Sequence, residues 1–101
     1  MLIREWKCTC PTDTVQEFIS YLNETGVKDT QSIDGCHGYK IMQRKLSLEV
    51  EITFMTFWET FEQMKVYAGE NLHKAVLYPE DYLYKITPET EVKIFEIVAE
   101  G

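Results

Sequence analysis

A chain of 101 residues can bury roughly 65% of its unfolded surface in one core, and no repeat, low-complexity tract or linker divides this one. Seventeen acids against ten Lys and Arg give a formal net charge of −7, which argues against a nucleic-acid partner, because phosphate binding needs a basic face. With 45% apolar or aromatic residues, no run long enough to span a membrane and no apolar leader in Met1-Leu2-Ile3-Arg4-Glu5, the composition predicts one cytoplasmic domain over residues 1–101 with no membrane partner.

The chain opens with a strand expected over Leu2 to Thr9, which Pro11 ends. From Thr12 to about Asn23, Val15, Phe18, Ile19 and Leu22 recur at i, i+3, i+4 and i+7, the stripe of a helix facing a core. Asp13 or Thr14 is its N-cap candidate, and Thr14 with Glu17 has capping-box spacing. Gly26 is a candidate stop, but the helix is expected to resume through Lys28 to Ser32 before Asp34-Gly35. A second strand follows near Cys36 to Lys45, with His37, Tyr39 and Ile41 on one face and Gly38, Lys40 and Met42 on the other. Leu46-Ser47 turns the chain back. The third strand is the firmest element, because Leu48, Val50, Ile52 and Phe54 alternate with Glu49, Glu51 and Thr53. Strands so closely connected form an antiparallel hairpin.

A second helix is expected from Glu59 or Thr60, carried by Phe61, Met64 and Ala68 and ended by Gly69. Residues 70–88 are irregular. A helical turn is expected at Leu72 to Val76, and the aromatic run Tyr78, Tyr82 and Tyr84 suits a packed cover better than a free linker. The last strand is expected over Glu91 to Ala99, with Val92, Ile94 and Val98 on one face and Phe95 and Ile97 on the other.

The order β-α-β-β-α-β predicts an α+β, ferredoxin-like fold, a four-stranded antiparallel sheet with both helices on one face. Strands three and four are apolar on both sides, so a second copy is expected to cover the helix-free face as a two-fold homodimer. An odd count of three cysteines and no export signal predict reduced thiols. Cys8, Cys10, Cys36 and His37 match none of the usual zinc spacings, so no metal is expected there and the cysteines are expected to be buried or half-buried thiols. Phosphate loops, nucleophile elbows, zinc-protease His pairs and dinucleotide fingerprints are all absent.

The junction Thr56-Phe57-Trp58-Glu59-Thr60, the following Phe61 and Tyr67-Ala68-Gly69-Glu70, and the stretch Ala75-Val76-Leu77-Tyr78-Pro79-Glu80-Asp81 resemble the antibiotic biosynthesis monooxygenase domain family of the dimeric α/β-barrel superfamily. The opening Ile3-Arg4-Glu5-Trp6 is also similar to it. The resemblance covers essentially the whole chain and implies a dimeric α/β barrel. It also implies a small, flat, apolar ligand in the cleft between sheet and helices.

Two functions follow from that resemblance: a small oxidoreductase like the cofactor-free monooxygenases, acting on an aromatic or polycyclic molecule, or a non-catalytic dimeric module that binds an apolar ligand. The resemblance implies Trp58 as one wall of the ligand site, although a large aromatic at such a junction also serves to anchor a helix. Tyr78 is expected in the cover, with His73 as its polar group. Trp6 is either a lining or a core residue, and His37, Tyr39 and Tyr82 are further groups of the right type. The haem-degrading relatives resemble one another in a first-strand Asn, the junction Trp and a helix His. This chain has only the Trp, with Ala68 about three turns past it, and no cofactor is expected.

Overall fold

The computed structural model describes residues 1–101. Strand β1 (Leu2–Pro11) lies at the centre of an antiparallel sheet. Its inward positions, Leu2, Arg4, Trp6, Cys8 and Cys10, are all buried, while Ile3, Glu5, Lys7 and Thr9 look the other way and are only half-buried. On one side β1 pairs with β3 (Glu49–Trp58), and β3 pairs in turn with β2 (Cys36–Lys45). On the other side lie two short strands, β4 (Thr87–Pro88) and β5 (Lys93–Glu96). Together they fill the fourth place of the ferredoxin-like order β2-β3-β1-β4.

That fourth strand is shorter than the expected Glu91 to Ala99, and it is broken. Trp6 Nε1 donates to the Glu89 carbonyl (3.0 Å) and Lys74 bridges Glu91, so the chain between β4 and β5 is drawn into other pairings. Val92 is buried and Ile94 half-buried as expected, but Val98 lies beyond the strand and is exposed.

Helix α1 (Val15–Leu22) packs Val15, Phe18 and Leu22 on the sheet. It continues through a π-helical stretch, Asn23–Val27, into α2 (Lys28–Gln31), so the helix does resume. The wide turn is held by side chains bonding back to carbonyls, Asn23 Nδ2 to Ile19 and Thr25 Oγ1 to Tyr21, each at 2.9 Å. The close approach there favours a glycine. A Cβ on Gly26 would meet the Phe54 ring at 3.1 Å and Leu22 Cδ1 at 3.2 Å. Thr14 is the N-cap residue, yet the expected capping box is not formed, because its hydroxyl donates instead to the Tyr84 carbonyl at 2.8 Å and ties the helix start to the cover.

Strand β2 has the expected bounds but not the expected faces. Cys36 pairs with Trp58 and Tyr39 with Thr56, so His37 and Gly38 together oppose Phe57 in a β-bulge, with Gly38 at φ 130°. The extra residue moves His37 off the Tyr39 and Ile41 face and leaves its Nε2 3.2 Å from Glu59 Oε2. Leu48 is likewise displaced from the expected alternation. It sits in the β2–β3 turn, exposed, where the Leu46 N–H bonds the Glu49 carbonyl at 2.8 Å.

Helix α3 (Phe61–Ala68) starts at an N-cap Thr60 that accepts from the Gln63 N–H and ends at Gly69 with φ 81°. Met64 is its buried contact. Phe61, expected inward, is exposed in the first turn of the helix, beside Met1 and Leu2 at the start of β1. No helical turn forms at Leu72 to Val76; a 3₁₀ turn at Asp81–Tyr84 takes its place. No helix is long and apolar enough to cross a membrane.

Candidate functional site

Beneath the cover lies a cleft lined by Arg4, Trp6 and Phe54 from the sheet, Phe18 and Leu22 from α1, Tyr67 from α3, and Val76, Tyr78 and Asp81 from the cover. Its volume of about 20 Å³ holds roughly one water molecule. The floor combines an aromatic wall with one cation. Arg4 is 5% exposed, its Nε donates to the Leu72 carbonyl (3.3 Å) and its Nη2 to the Lys74 carbonyl (2.7 Å), and its guanidinium carbon stands 5.6 Å from the centre of the Tyr67 ring. Burial pulls its pKa down.

A chain of hydroxyls runs from the cleft to its rim. The Tyr78 hydroxyl donates to Asp29 Oδ2 at 2.7 Å, and the Tyr67 and Tyr78 oxygens are 3.4 Å apart. Tyr78 has a single proton and spends it on a carboxylate, so Tyr67 must be the donor to Tyr78. Burial raises the pKa of both phenols above the usual tyrosine range, and the bond to Asp29 raises that of Tyr78 further. Asp81 Oδ2 accepts from the Tyr78 N–H at 2.8 Å, and burial raises its carboxyl pKa as well.

Of the residues singled out in the sequence, Tyr78 and Trp6 line this cleft. Trp58 does not. It is completely buried in a separate cluster with Leu2 and Met64, and its Nε1 donates to Thr56 Oγ1 at 2.8 Å. Tyr67 packs against that cluster and also lines the cleft, whereas Trp58 does not reach its lining. His73 is exposed in a polar depression with Asn71, Lys74, Thr90 and Glu91, away from the aromatic wall. Tyr82 points to solvent, and Tyr39 stands over the edge of the sheet against Phe54.

Arg4, Tyr67 and Asp81 were not singled out. Arg4 had a signal, because it shares strand parity with Leu2, Trp6 and Cys8, and an arginine on an otherwise apolar face is a buried charge that needs a use.

Cys8 and Cys10 are structural. Cys8 is buried and its pKa is pushed up to about 12, chiefly by desolvation, and burial also raises that of Cys10, whose sulfur lies 3.3 Å from Thr14 Oγ1. A protonated, buried thiol is a poor nucleophile. Native protein at pH 8 is therefore expected to react with Ellman's reagent at Cys36 alone, and fast release of three equivalents would contradict this packing.

Neither does the cleft fit haem. The first strand offers it Arg4 and Trp6, α3 ends at Ala68, and no imidazole lines it. Haemin titrated with a reductant is expected to keep its Soret band, and iron release abolished in His73→Ala would contradict this.

No family model matches the sequence, and no curated protein is detectably similar to it. Solved structures do match over nearly the whole chain. One is a protein from Bacillus cereus provisionally described as an antibiotic biosynthesis monooxygenase, with TM-score 0.69 and 15% identity, covering 99% of this chain and 95% of that one. A Deinococcus radiodurans protein with the same provisional description has TM-score 0.66 and 14% identity over the same shares. A dimeric ferredoxin-like protein from an uncultured marine organism has TM-score 0.63 and 13% identity, covering 100% of this chain and 98% of that one. By its fold, this chain stands with the ferredoxin-like proteins, among them structures described provisionally as antibiotic biosynthesis monooxygenases.

Proposed function

We propose that residues 1–101 form one domain of a homodimer that takes a small, flat aromatic ligand with an ionisable hydroxyl into the cleft and oxidises it with dioxygen. The observation that carries this reading is the meeting of an aromatic wall, Trp6, Phe18 and Phe54, with the Arg4 cation and the Tyr67–Tyr78 hydroxyls in one water-poor space. The fold shared with the provisionally named monooxygenases supports it, and the dimeric ferredoxin-like neighbours support the homodimer.

In this reading Asp81 takes the ligand's hydroxyl proton. Arg4 stabilises the phenolate, and the apolar walls keep out water while oxygen reacts. One oxygen atom enters the ring as the second quinone carbonyl. The other leaves as water with the displaced ring hydrogen and the hydroxyl hydrogen, so phenol and dioxygen balance against quinone and water.

A volume of about 20 Å³ admits no aromatic ring, so uptake requires Val76, Tyr78 and Asp81 to move outward. Breaking the Tyr78–Asp29 bond is the smallest change that begins this. The small volume is also the observation that favours the second reading, a dimeric module that closes on an apolar ligand without turnover.

The test is oxygen uptake with hydroxynaphthalene and anthrone-type phenols in the absence of added flavin, metal or haem. One dioxygen consumed per quinone formed, without hydrogen peroxide, is expected. Binding that quenches Trp6 fluorescence in a Trp58→Phe background, with no oxygen uptake, would replace the enzyme with the module.

A further inference from the structure

Arg4 is a charged side chain buried without a counter-ion. None of the protein's ion pairs includes it; those formed join Lys7 and Arg44 to Glu51, His37 to Glu59 and Lys65 to Glu62. Its two hydrogen bonds go to neutral carbonyls of the cover, Leu72 and Lys74, and leave three of its five N–H donors without a protein acceptor. Asp81 lines the same cleft, but its Oδ2 is taken by the Tyr78 N–H. A guanidinium in such a place has given up much of its hydration without gaining an anion, an arrangement that an incoming negative charge relieves.

We infer that Arg4 is the anion anchor of this cleft and that its ligand is an aromatic anion, an aryl carboxylate or phenolate, with the charged oxygen on the guanidinium and the ring against Trp6. The inference rests on the reading of the cleft as an aromatic site and adds the charge of what it takes. Arg4 and Trp6 are two apart on one face of β1, so the guanidinium and the indole share one wall of the cleft. Arg4 also fastens the cover through two carbonyls. A charged acceptor makes a stronger hydrogen bond to arginine than a neutral carbonyl does, so the anion that fits the floor competes for the same donors that hold the cover down. A neutral ligand of the same shape leaves those bonds in place.

The experiment compares 1-naphthoate with 1-naphthamide, its uncharged isostere, by calorimetric titration of the wild-type chain. Naphthoate is expected to bind about tenfold or more tighter, the scale of one charge-assisted bond in a buried site. Arg4→Gln should bring the two affinities together, and Arg4→Lys should keep part of the difference. Equal affinity of the wild type for both compounds would overturn the anchor and leave the aromatic cleft standing. Failure of both compounds to bind at millimolar concentration would overturn the anchor and the aromatic cleft together. Should Arg4→Gln fail to fold, the wild-type comparison alone decides.

Discussion

Replacing Trp58 with alanine is expected to cost about 3–5 kcal/mol of folding stability, the range for deleting a fully buried large aromatic. That is a large part of the roughly 5–15 kcal/mol that a domain has to spend. The ring closes the space between β3 and α3, where Leu2 and Met64 touch it and Ile33, Cys36, Tyr67, Leu72 and Ile94 pack around them. Trp58→Phe is a milder change. It removes the donor to Thr56, whose hydroxyl is buried, and should cost about 1–3 kcal/mol for the lost bond and the smaller ring. Urea denaturation of both variants measures these costs. Because Trp58 is fully buried outside the cleft lining, Trp58→Phe should leave ligand affinity unchanged and make Trp6 the only remaining indole reporter. Unaltered stability with weakened binding would return Trp58 to the ligand wall.

The contrast between Trp58 and Arg4 marks how far local pattern reaches. Val50, Ile52 and Phe54 declared their strand because a half-buried strand repeats every two residues, and β1 shows the same period in its burial. The junction tryptophan was visible as a residue, but whether it faces a cleft or a closed cluster depends on Met64 and Tyr67, which arrive from another element. Gly38 inside a strand was a legible sign of a bulge, and His37 changed face because of it. The broken fourth strand had no local sign at all. Its interruption is set by Trp6 and Lys74, 83 and 17 residues away from the partners they hold, and such pairings are settled by the assembled fold. The polar chain through Tyr67, Tyr78 and Asp29 was illegible for the same reason, since three separate elements supply it.

A charge at Phe57 is expected to convert the proposed homodimer to monomer. On the face of the sheet opposite the helices, pairing sets Phe57 beside Ile3 and Ile3 beside Phe95, with Met55 and Glu5 in the next row and Thr53 and Met42 beyond. At the far end of the face Lys7 and Arg44 flank Glu51. Its strands place four of the ten cations there, Lys7, Lys40, Arg44 and Lys93, but only three of the seventeen acids, Glu5, Glu49 and Glu51. The rest of the chain therefore carries six cations against fourteen acids, so two copies repel through any other approach and meet nearly neutral through this one. A two-fold axis puts every substitution into the interface twice. Phe57→Asp should then bury an unpaired carboxylate in each copy at about 3–5 kcal/mol apiece, enough to raise the dimer Kd by a factor of at least about a hundred. Size-exclusion with light scattering at micromolar concentration is the measurement, and Val66→Asp is the control, because Val66 is exposed on α3 and away from this face. A wild-type monomer at that concentration, or a Phe57→Asp dimer as tight as the Val66→Asp one, would leave the apolar row of Ile3, Phe57 and Phe95 without the partner argued for it.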